Sequence, residues 1–397
     1  MTAESLATAP TAAAAVWWRD PRYRALIFQA FALALVVGIG WYLVSNVVEN
    51  MDKRGIASGF GFLETTAGFG IIQALIPYSE TSSYFVALIV SLLNTILIAF
   101  VGVVFATMLG FTIGVARLSS NWVVRKLATI YIETFRNIPL LLQIFFWYHA
   151  VLKPLPGPRE SVDLFGSFFI NNRGVYFPAL KSGWGFIAII LTIVAGVVIT
   201  SMIGRWAKVR QAQTGEQFPM FAVGLGLIVG LPFAVFLIIS FAVGYDVPKL
   251  EGFNFTGGIV IIPEFIAMLL ALSVYTASFI AEIVRAGIQS VSHGQTEAAR
   301  ALGVRPSPTL KLVIIPQAMR VIIPPLTSQY LNLTKNSSLA VAIAYPDLTA
   351  VFAGTVLNQT GQAVEIIAIT MAVYLTISLL TSAYMNWYNA RKALVER

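Results

Sequence analysis

Long apolar segments alternate with short polar ones along most of the chain, and this pattern gives the first structural prediction. Eight segments are close to or longer than the roughly 20 residues that a helix needs to cross the hydrocarbon core of a bilayer. Backbone N–H and C=O groups cannot stay unpaired in lipid, so segments of this length must be helical. We therefore predict an all-α, polytopic membrane protein of about eight transmembrane helices, at residues 25–48, 84–116, 127–152, 184–203, 218–244, 264–286, 318–345 and 365–387.

Composition supports a membrane protein and excludes several other classes. Hydrophobic residues make up 57% and charged residues 11% of the 397 residues, and the mean hydropathy is +0.79, outside the range of soluble domains. The chain has no cysteine, so disulfides and thiolate metal sites are not available. Two histidines, His149 and His293, are too few for a histidine-based metal cluster. We expect no metal and no cofactor on this chain.

The basic residues predict the orientation of the chain in the membrane. Of the 26 lysines and arginines, 17 lie in segments on one side of the predicted spans and 7 on the other, with Arg136 and Lys335 inside spans. The positive side faces the cytoplasm, so both ends are expected there, as tails of residues 1–24 and 391–397. The amino-terminal tail lacks the basic start of a secretory signal and is interpreted as disordered. The net charge of +8 thus reflects topology, and we predict no nucleic-acid partner.

The longest polar interruption in the carboxy-terminal half, residues 294–317, lies on the cytoplasmic side in this topology. Thr296 is predicted to cap a short helix and Glu297 to lie in its first turn, where the helix dipole favours a negative charge. Alanines give one face of this helix small side chains, and Leu302 adds a large apolar one. Gly303 can adopt the left-handed backbone conformation that ends a helix. A helix of about two turns is unstable alone in water. It needs a partner surface, or else it folds back on its own protein.

The same loop resembles the coupling loop of bacterial ABC importer permeases, which is the docking site for a separate ATPase subunit. The family pattern is Glu-Ala-Ala, three residues, Gly, nine residues, then an aliphatic residue, a spacer, an aliphatic residue and Pro. Every spacing is kept here, with Val313 and Ile315 at the two aliphatic positions. The resemblance implies ATPase coupling by six residues of the loop: Glu297, Ala298, Ala299, Leu302, Gly303 and Pro316.

Two pairs of opposite charges interrupt predicted spans. Glu133 and Arg136 in the third span, and Glu282 and Arg285 in the sixth, are three residues apart and share a helical face. Each pair is therefore predicted to neutralise itself in a low-dielectric setting. Two roles stay open for each pair, a structural clamp near the inner surface or a place on the translocation path.

Other features of the spans also carry predictions. Pro139 removes a backbone hydrogen bond and should free a carbonyl near Glu133 or Phe135. Polar residues that interrupt the seventh span should face the bundle interior or a wet cavity: Lys335, Asn336, Ser337 and Ser338. A small residue at every fourth position of the second span predicts close helix packing: Gly102, Ala106, Gly110 and Gly114.

The polar segments of the third, sixth and seventh spans resemble sequence motifs of the permeases for polar amino acids of the histidine and glutamate uptake type. Asn137 stands where glycine is commoner, and Asn336 stands where aspartate is frequent, which removes a possible charge. The residues that match the motifs are Glu133, Phe135, Arg136, Pro139, Gln143, Tyr275, Ala281, Glu282, Arg285, Lys335, Asn336, Ser337, Ser338 and Leu339. The candidate translocation path or intramembrane polar network comprises Glu133, Arg136, Asn137, Gln143, Glu282, Arg285, Lys335, Asn336, Ser337 and Ser338.

The resemblance also implies the domain organisation. It covers residues 84–152 and 264–387, which form a type I ABC importer permease core of five helices. The first span and a hairpin at 184–244 are additions, as in the larger permease subunit of general L-amino acid ABC importers. The predicted divisions are 1–24 tail, 25–83 added helix and periplasmic loop, 84–152 first segment of the permease core, 153–263 inserted loops and hairpin, 264–390 second segment of the permease core with coupling loop 287–317, and 391–397 tail.

The expected function is ATP-driven import of polar L-amino acids across the bacterial inner membrane. The sequence has no GxxxxGK[ST] phosphate loop, so ATP and Mg are expected on a partner ATPase, and this chain is not expected to be an enzyme. The resemblance implies a second permease subunit, two ATPase subunits and a periplasmic amino-acid-binding protein as partners. The alternatives are a secondary transporter of small polar solutes driven by an ion gradient and a membrane scaffold that transports nothing.

Overall fold

The structure is a computed structural model that describes residues 21–53, 55, 58–181 and 183–392; the predicted tails, 1–24 and 391–397, lie almost entirely outside them. Within the described residues, seven helical segments are long and apolar enough to cross a membrane. They correspond to seven of the eight predicted spans, and the all-α class is confirmed. The helices are α1 (Pro21–Lys53), α2 (Tyr84–Ala116), α3 (Trp122–Asn137), α4 (Leu140–Phe145), α5 (Gly183–Thr214), α6 (Met220–Leu225), α7 (Leu231–Val243), α8 (Pro263–Gln289), α9 (His293–Ala301), α10 (Pro306–Thr309), α11 (Ile315–Asn336), α12 (Leu357–Thr360) and α13 (Ala363–Lys392).

The centre of the bundle is the packing of α2 on α8, with α11 against both. Each of the three helices contributes side chains that are almost fully buried, so one apolar core holds them together. The largest of these side chains are Ile98 on α2, Met268, Leu272 and Ile280 on α8, and Ile322 and Leu333 on α11.

Glycines on α2 make this close packing possible, as the small-residue pattern predicts. A Cβ atom added at Gly110 would lie 2.6 Å from Cβ of Ile280, and one added at Gly114 would lie 2.7 Å from the carbonyl oxygen of Ala281. Any side chain at these two positions would therefore force α2 away from α8.

Gly110→Ala is expected to destabilise the permease by about 1–3 kcal/mol, the usual cost of overpacking. Gly38→Ala on α1 is the matched control, because a Cβ there meets nothing within 4 Å. Thermal unfolding followed by tryptophan fluorescence in detergent would compare the two variants. Equal unfolding midpoints for Gly110→Ala and Gly38→Ala would contradict close packing of α2 on α8.

The predicted third span, residues 127–152, is not one helix. Helix α3 ends at Asn137, Ile138 is extended (φ −94°, ψ 124°), and an apolar segment follows as α4 and a π-helical turn, Phe146–Leu152. Pro139 causes the break, because proline has no N–H and disfavours a helical conformation in the residue before it. The chain thus divides into an amphipathic helix and a shorter apolar one where we predicted a continuous span.

The seventh span is longer and less regular than the predicted residues 318–345. It begins at α10, continues through a π-helical turn (Leu310–Ile314) into α11, and ends in a 3₁₀ helix, Ser337–Ile343. A π-helical segment, Thr349–Val356, and α12 then lead to α13. The chain after α11 therefore turns back at the end of the bundle opposite α9.

Residues 60–83 cover this opposite end. They include a 3₁₀ helix, Gly61–Glu64, and they bury Phe62 and Ala67 against Leu348, Phe352 and Ile366. The Asn94 side chain on α2 donates hydrogen bonds to the carbonyls of Gln73 (2.8 Å) and Pro346 (3.0 Å), so the cover is tied to the core.

The inserted hairpin is present as predicted, with α5 packed against α6 and α7. The loops that precede α5 and follow α7 contain short strands, which we did not predict. They are β1 (Val162–Leu164), β2 (Phe168–Asn171), β3 (Gly174–Phe177), β4 (Ala179–Leu180), β5 (Tyr245–Asp246), β6 (Lys249–Glu251), β7 (Asn254–Thr256) and β8 (Ile259–Ile261). An antiparallel sheet of order β1-β2-β3-β8 joins the two flanking loops. Strands of two to four residues are too short to show an alternating pattern in the sequence.

Candidate functional site

The loop between α8 and α11 carries α9, the short helix of the predicted coupling loop. Its N-cap is Ser292, whose hydroxyl accepts a hydrogen bond from the N–H of Gly294 at 3.3 Å. The prediction that Thr296 caps the helix is wrong, because Ser292 supplies a cap one turn earlier. Glu297 consequently lies beyond the first turn, and the predicted stabilisation of its charge by the N-terminal dipole does not apply.

The end of α9 agrees with the prediction. Gly303 is left-handed (φ +71°), and its N–H donates to the carbonyl of Arg300 at 2.9 Å. The N–H of Val304 donates to the carbonyl of Ala299 at 3.0 Å. These two bonds form the Schellman motif, which ends the helix and turns the chain.

Most of α9 is exposed, and two of its residues hold it against the protein. Ala299 is buried, and the Gln317 side chain on α11 donates to the Gln295 side chain on α9 at 3.3 Å. On the outside, Glu297 and Ala298 are exposed, and Leu302 is 82% exposed. Pro316 is exposed in the first turn of α11. The six predicted coupling residues thus occupy one loop, and five of them lie on its surface.

A cluster of charges joins α2, α3 and α8 near this end of the bundle. Both oxygens of Glu282 accept hydrogen bonds from Nε of Arg285 at 3.1 Å, so this predicted pair is confirmed. Nη1 of Arg117, just after α2, also donates to Glu282, and Nη2 of Arg117 lies 3.6 Å from Oε1 of Glu133 on α3. Arg117 therefore bridges two carboxylates on different helices.

The predicted pair of Glu133 and Arg136 does not form. The guanidinium of Arg136 lies 5.2 Å from the ring centre of Phe279 on α8, a cation–π distance, while Glu133 pairs with Arg117. Both residues share a face of α3, as the spacing requires, but neighbouring helices offer each a different partner. Spacing within one helix could not show this. In the sequence, Arg117 is only one of the basic residues that indicate the orientation of the chain, although Gly114, one turn earlier, brings α2 against the helix that carries Glu282.

Gln143 and Asn137 satisfy backbone groups at the break before α4. Nε2 of Gln143 donates to the carbonyls of Phe135 and Ile138, both at 3.0 Å. The carbonyl of Phe135 is the one that Pro139 leaves without its helical donor, so that prediction is confirmed. Nδ2 of Asn137 donates to the carbonyl of Glu133 at 2.6 Å.

The four polar residues of the seventh span lie where α11 ends and the 3₁₀ helix begins, beyond the charge cluster. The hydroxyl of Ser337 is buried and donates to the carbonyl of Thr334 at 2.7 Å. The hydroxyl of Ser338 donates to the carbonyl of Lys335 at 2.8 Å. Lys335 is exposed, and Asn336 is half-buried. The seventh-span residues are thus placed apart from the Glu282 cluster.

Asp347 is a buried acid that sequence reasoning missed. Its carboxylate accepts hydrogen bonds from the N–H of Ala350 (2.8 Å) and the hydroxyl of Tyr374 on α13 (3.1 Å). Burial raises the pKa of Asp347 from 3.8 to about 7. Asp347 follows a proline between two apolar runs, so its sequence indicated only a turn. No pattern in the sequence indicated its contact with Tyr374, 27 residues later.

Comparison with known proteins places the chain in a class. The profile of the family described as "Binding-protein-dependent transport system inner membrane component" matches residues 220–393. The chain is 57% identical to YhdX of Escherichia coli, named as an amino-acid ABC transporter permease, over 95% of this chain and 96% of that protein. The chain therefore belongs to the family of ABC transporter permeases, the inner-membrane components of binding-protein-dependent transport systems.

Two further relatives narrow the class to permeases named for amino acids. The chain is 54% identical to the general L-amino acid transport system permease protein AapQ of Rhizobium johnstonii, over 95% of this chain and 94% of that protein. It is 43% identical to the glutamate/glutamine/aspartate/asparagine transport system permease protein BztB of Rhodobacter capsulatus, over 95% of this chain and 96% of that protein. The resemblance stated from the sequence motifs is confirmed.

Proposed function

We propose that this permease is one transmembrane subunit of an ATP-driven importer of polar L-amino acids in the bacterial inner membrane. The names of its relatives support the amino-acid substrate. The proposed partners are a second permease subunit, two ATPase subunits that bind ATP and Mg, and a periplasmic amino-acid-binding protein. The chain itself contributes no phosphate loop, and its proposed role is translocation.

The observation that carries this proposal is the exposed face of α9. A helix of nine residues is too short to be stable by itself, yet Glu297 is exposed on it and Leu302, its C-cap, is 82% exposed. Leu302 can enter an apolar groove, and Glu297 can accept a charge-assisted hydrogen bond from a basic side chain. A separate protein with such a groove would complete the site.

Movement of α9 could reach the bundle through two connections. Ala299 is buried beneath the helix, and the bond between Gln295 and Gln317 links α9 to the start of α11. The Arg117 cluster holds α2, α3 and α8 together beside the loop. We infer that drawing the ATPases together on ATP binding displaces these helices as a unit and biases a cavity between two states.

The polar residues of the seventh span are proposed to face the translocation path or the second permease. Exposure of Lys335 on a span supports this proposal, because a charge facing lipid is costly. The same reasoning extends to Asn336, which is half-buried beside it. Gln143 and Asn137 are proposed instead to hold the broken helix, since their amides bond to its carbonyls.

The proposed topology places the α9 end and both termini in the cytoplasm, because most lysines and arginines lie at that end. Cysteine labelling tests it, since the chain has no cysteine of its own. An impermeant maleimide should label Arg159→Cys in cells with a permeabilised outer membrane and Thr214→Cys, at the end of α5, only after the inner membrane is opened. The reverse labelling order would contradict this topology.

A further inference from the structure

A cleft separates the added helix α1 from the start of α13. Its volume is about 300 Å³, and its walls are almost entirely apolar. One stripe of α1 forms one wall, Val364 lies on the other, and Glu365 is the one charged residue among those that line it; the stripe consists of Leu43, Val44, Val47 and Val48.

Glu365 is buried with only half of its carboxylate satisfied. It is 7% exposed, and Oε1 accepts a hydrogen bond from the N–H of Gly59 at 2.6 Å. Oε2 is buried and accepts no hydrogen bond from the residues that the structure describes, and neither does Oε1 of Gln362, three residues earlier and 6% exposed. The cation at the end of α1, Lys53, is paired with Glu49 at 2.6 Å. The carboxylate of Glu365 therefore requires a further donor, since an unpaired buried charge is costly.

The cleft lies at the boundary between hydrocarbon and headgroups. Tyr384 and Trp387 are exposed at the far end of α13, with their ring centres 5.8 Å apart, and aromatic side chains of this kind mark one membrane interface. A span of about 20 residues counted back from Trp387 ends just after Glu365. Glu365 and Gln362 are thus at headgroup level in the leaflet opposite α9, and the aliphatic stripe of α1 extends into the hydrocarbon.

The walls of the cleft are unlike a direct contact between two membrane helices. Such contacts use small residues that let backbones approach, but valines and a leucine face the cleft on α1. The two glycines of α1, Gly38 and Gly40, meet nothing within 4 Å. The geometry points to a flexible apolar chain between α1 and α13 and a hydrogen-bond donor with positive charge above it.

We propose that this cleft binds one aminophospholipid, with an acyl chain against the α1 stripe and the primary ammonium donating to the carboxylate of Glu365, the charged residue of the cleft lining. A choline headgroup has no N–H to donate, and an anionic glycerol headgroup would face an unpaired carboxylate. Both are therefore disfavoured. The lipid would join the added helix to the core, independently of the transport cycle.

Native mass spectrometry of the full chain in mild detergent tests this proposal. Delipidated protein is mixed with phosphatidylethanolamine, phosphatidylcholine or phosphatidylglycerol with identical acyl chains. We expect one phosphatidylethanolamine to be retained about tenfold more tightly than the other two lipids, from hydrogen bonds to a charged group. Glu365→Gln should remove this preference, while Glu49→Gln, an exposed acid on α1, should leave it unchanged.

A second variant tests the same cleft if Glu365→Gln does not fold. Val47→Trp fills the cleft from an exposed helix surface, and it should abolish retention of phosphatidylethanolamine. Equal retention of all three lipids, or full retention in Val47→Trp, would overturn the proposal. So would loss of the lipid on assembly with the partner subunits, which would assign the cleft to a protein helix.

Discussion

Glu297→Lys and Gly303→Val are expected to release the ATPase subunits from the purified permease while its membrane insertion stays intact. A charge-assisted hydrogen bond that Glu297 accepts from a basic side chain is worth about 1.5–3 kcal/mol, so charge reversal should weaken the contact by tenfold or more. Valine at Gly303 strains a left-handed backbone by about 1–3 kcal/mol. A Cβ there meets nothing within 4 Å, so the effect arises from the backbone and the lost helix end.

The chain offers matched controls for both variants. Gly215 is also left-handed (φ +72°) with open space around it, and Glu216 is an exposed acid that forms a surface ion pair with Arg210. Gly215→Val and Glu216→Lys should retain the ATPase in co-purification and keep substrate-stimulated ATP hydrolysis. Wild-type retention and hydrolysis in both Glu297→Lys and Gly303→Val would mean that α9 is not the coupling element.

Arg117→Gln is expected to be the most damaging single change in the charge cluster. It leaves Glu282 without one of its two cations and Glu133 without its partner. The side chain of Arg117 is 19% exposed and that of Glu282 27%, so the pair lies between surface pairs and fully buried ones. A double-mutant cycle of Arg117→Gln with Glu282→Gln should give a coupling of about 1–3 kcal/mol in unfolding free energy.

The cycle of Glu133→Gln with Arg136→Gln is the comparison. Glu133 is 59% exposed and paired with Arg117, whereas Arg136 lies over Phe279, so their coupling should be close to zero. A large coupling between Glu133 and Arg136, with none between Arg117 and Glu282, would contradict the arrangement of the cluster. Folded yield after size-exclusion chromatography would confirm that the variants assemble.

Spans and motifs were predictable because each rests on a local rule. Length and hydropathy located seven of the eight spans, and the glycine at position 303 required a left-handed helix end whatever lay around it. The same local reasoning predicted that Pro139 would leave a carbonyl near Phe135 without its helical hydrogen-bond donor. It also placed the small residues of α2 on a packing face, where Gly110 and Gly114 meet α8.

The remaining features depend on contacts between distant regions of the chain. Pro139 was expected to free a carbonyl within a continuous span, but the sequence could not show that the helix would divide there. Arg117 reaches Glu282, 165 residues away, and Asp347 reaches Tyr374 only after the chain has reversed. At α9, the cap is Ser292 and not the predicted Thr296. The predicted pair on α3 failed because tertiary partners outweigh spacing within one helix.

Uptake by liposomes that contain the assembled transporter tests the central claim most directly. Permease, partner permease and ATPase subunits are reconstituted with ATP inside, the binding protein is added outside, and a panel of polar L-amino acids is supplied. The account predicts accumulation that requires both ATP and the ATPase subunits and that falls in Gly303→Val but not in Gly215→Val. Uptake by the permease chains alone under an ion gradient, with no response to ATP, would contradict it.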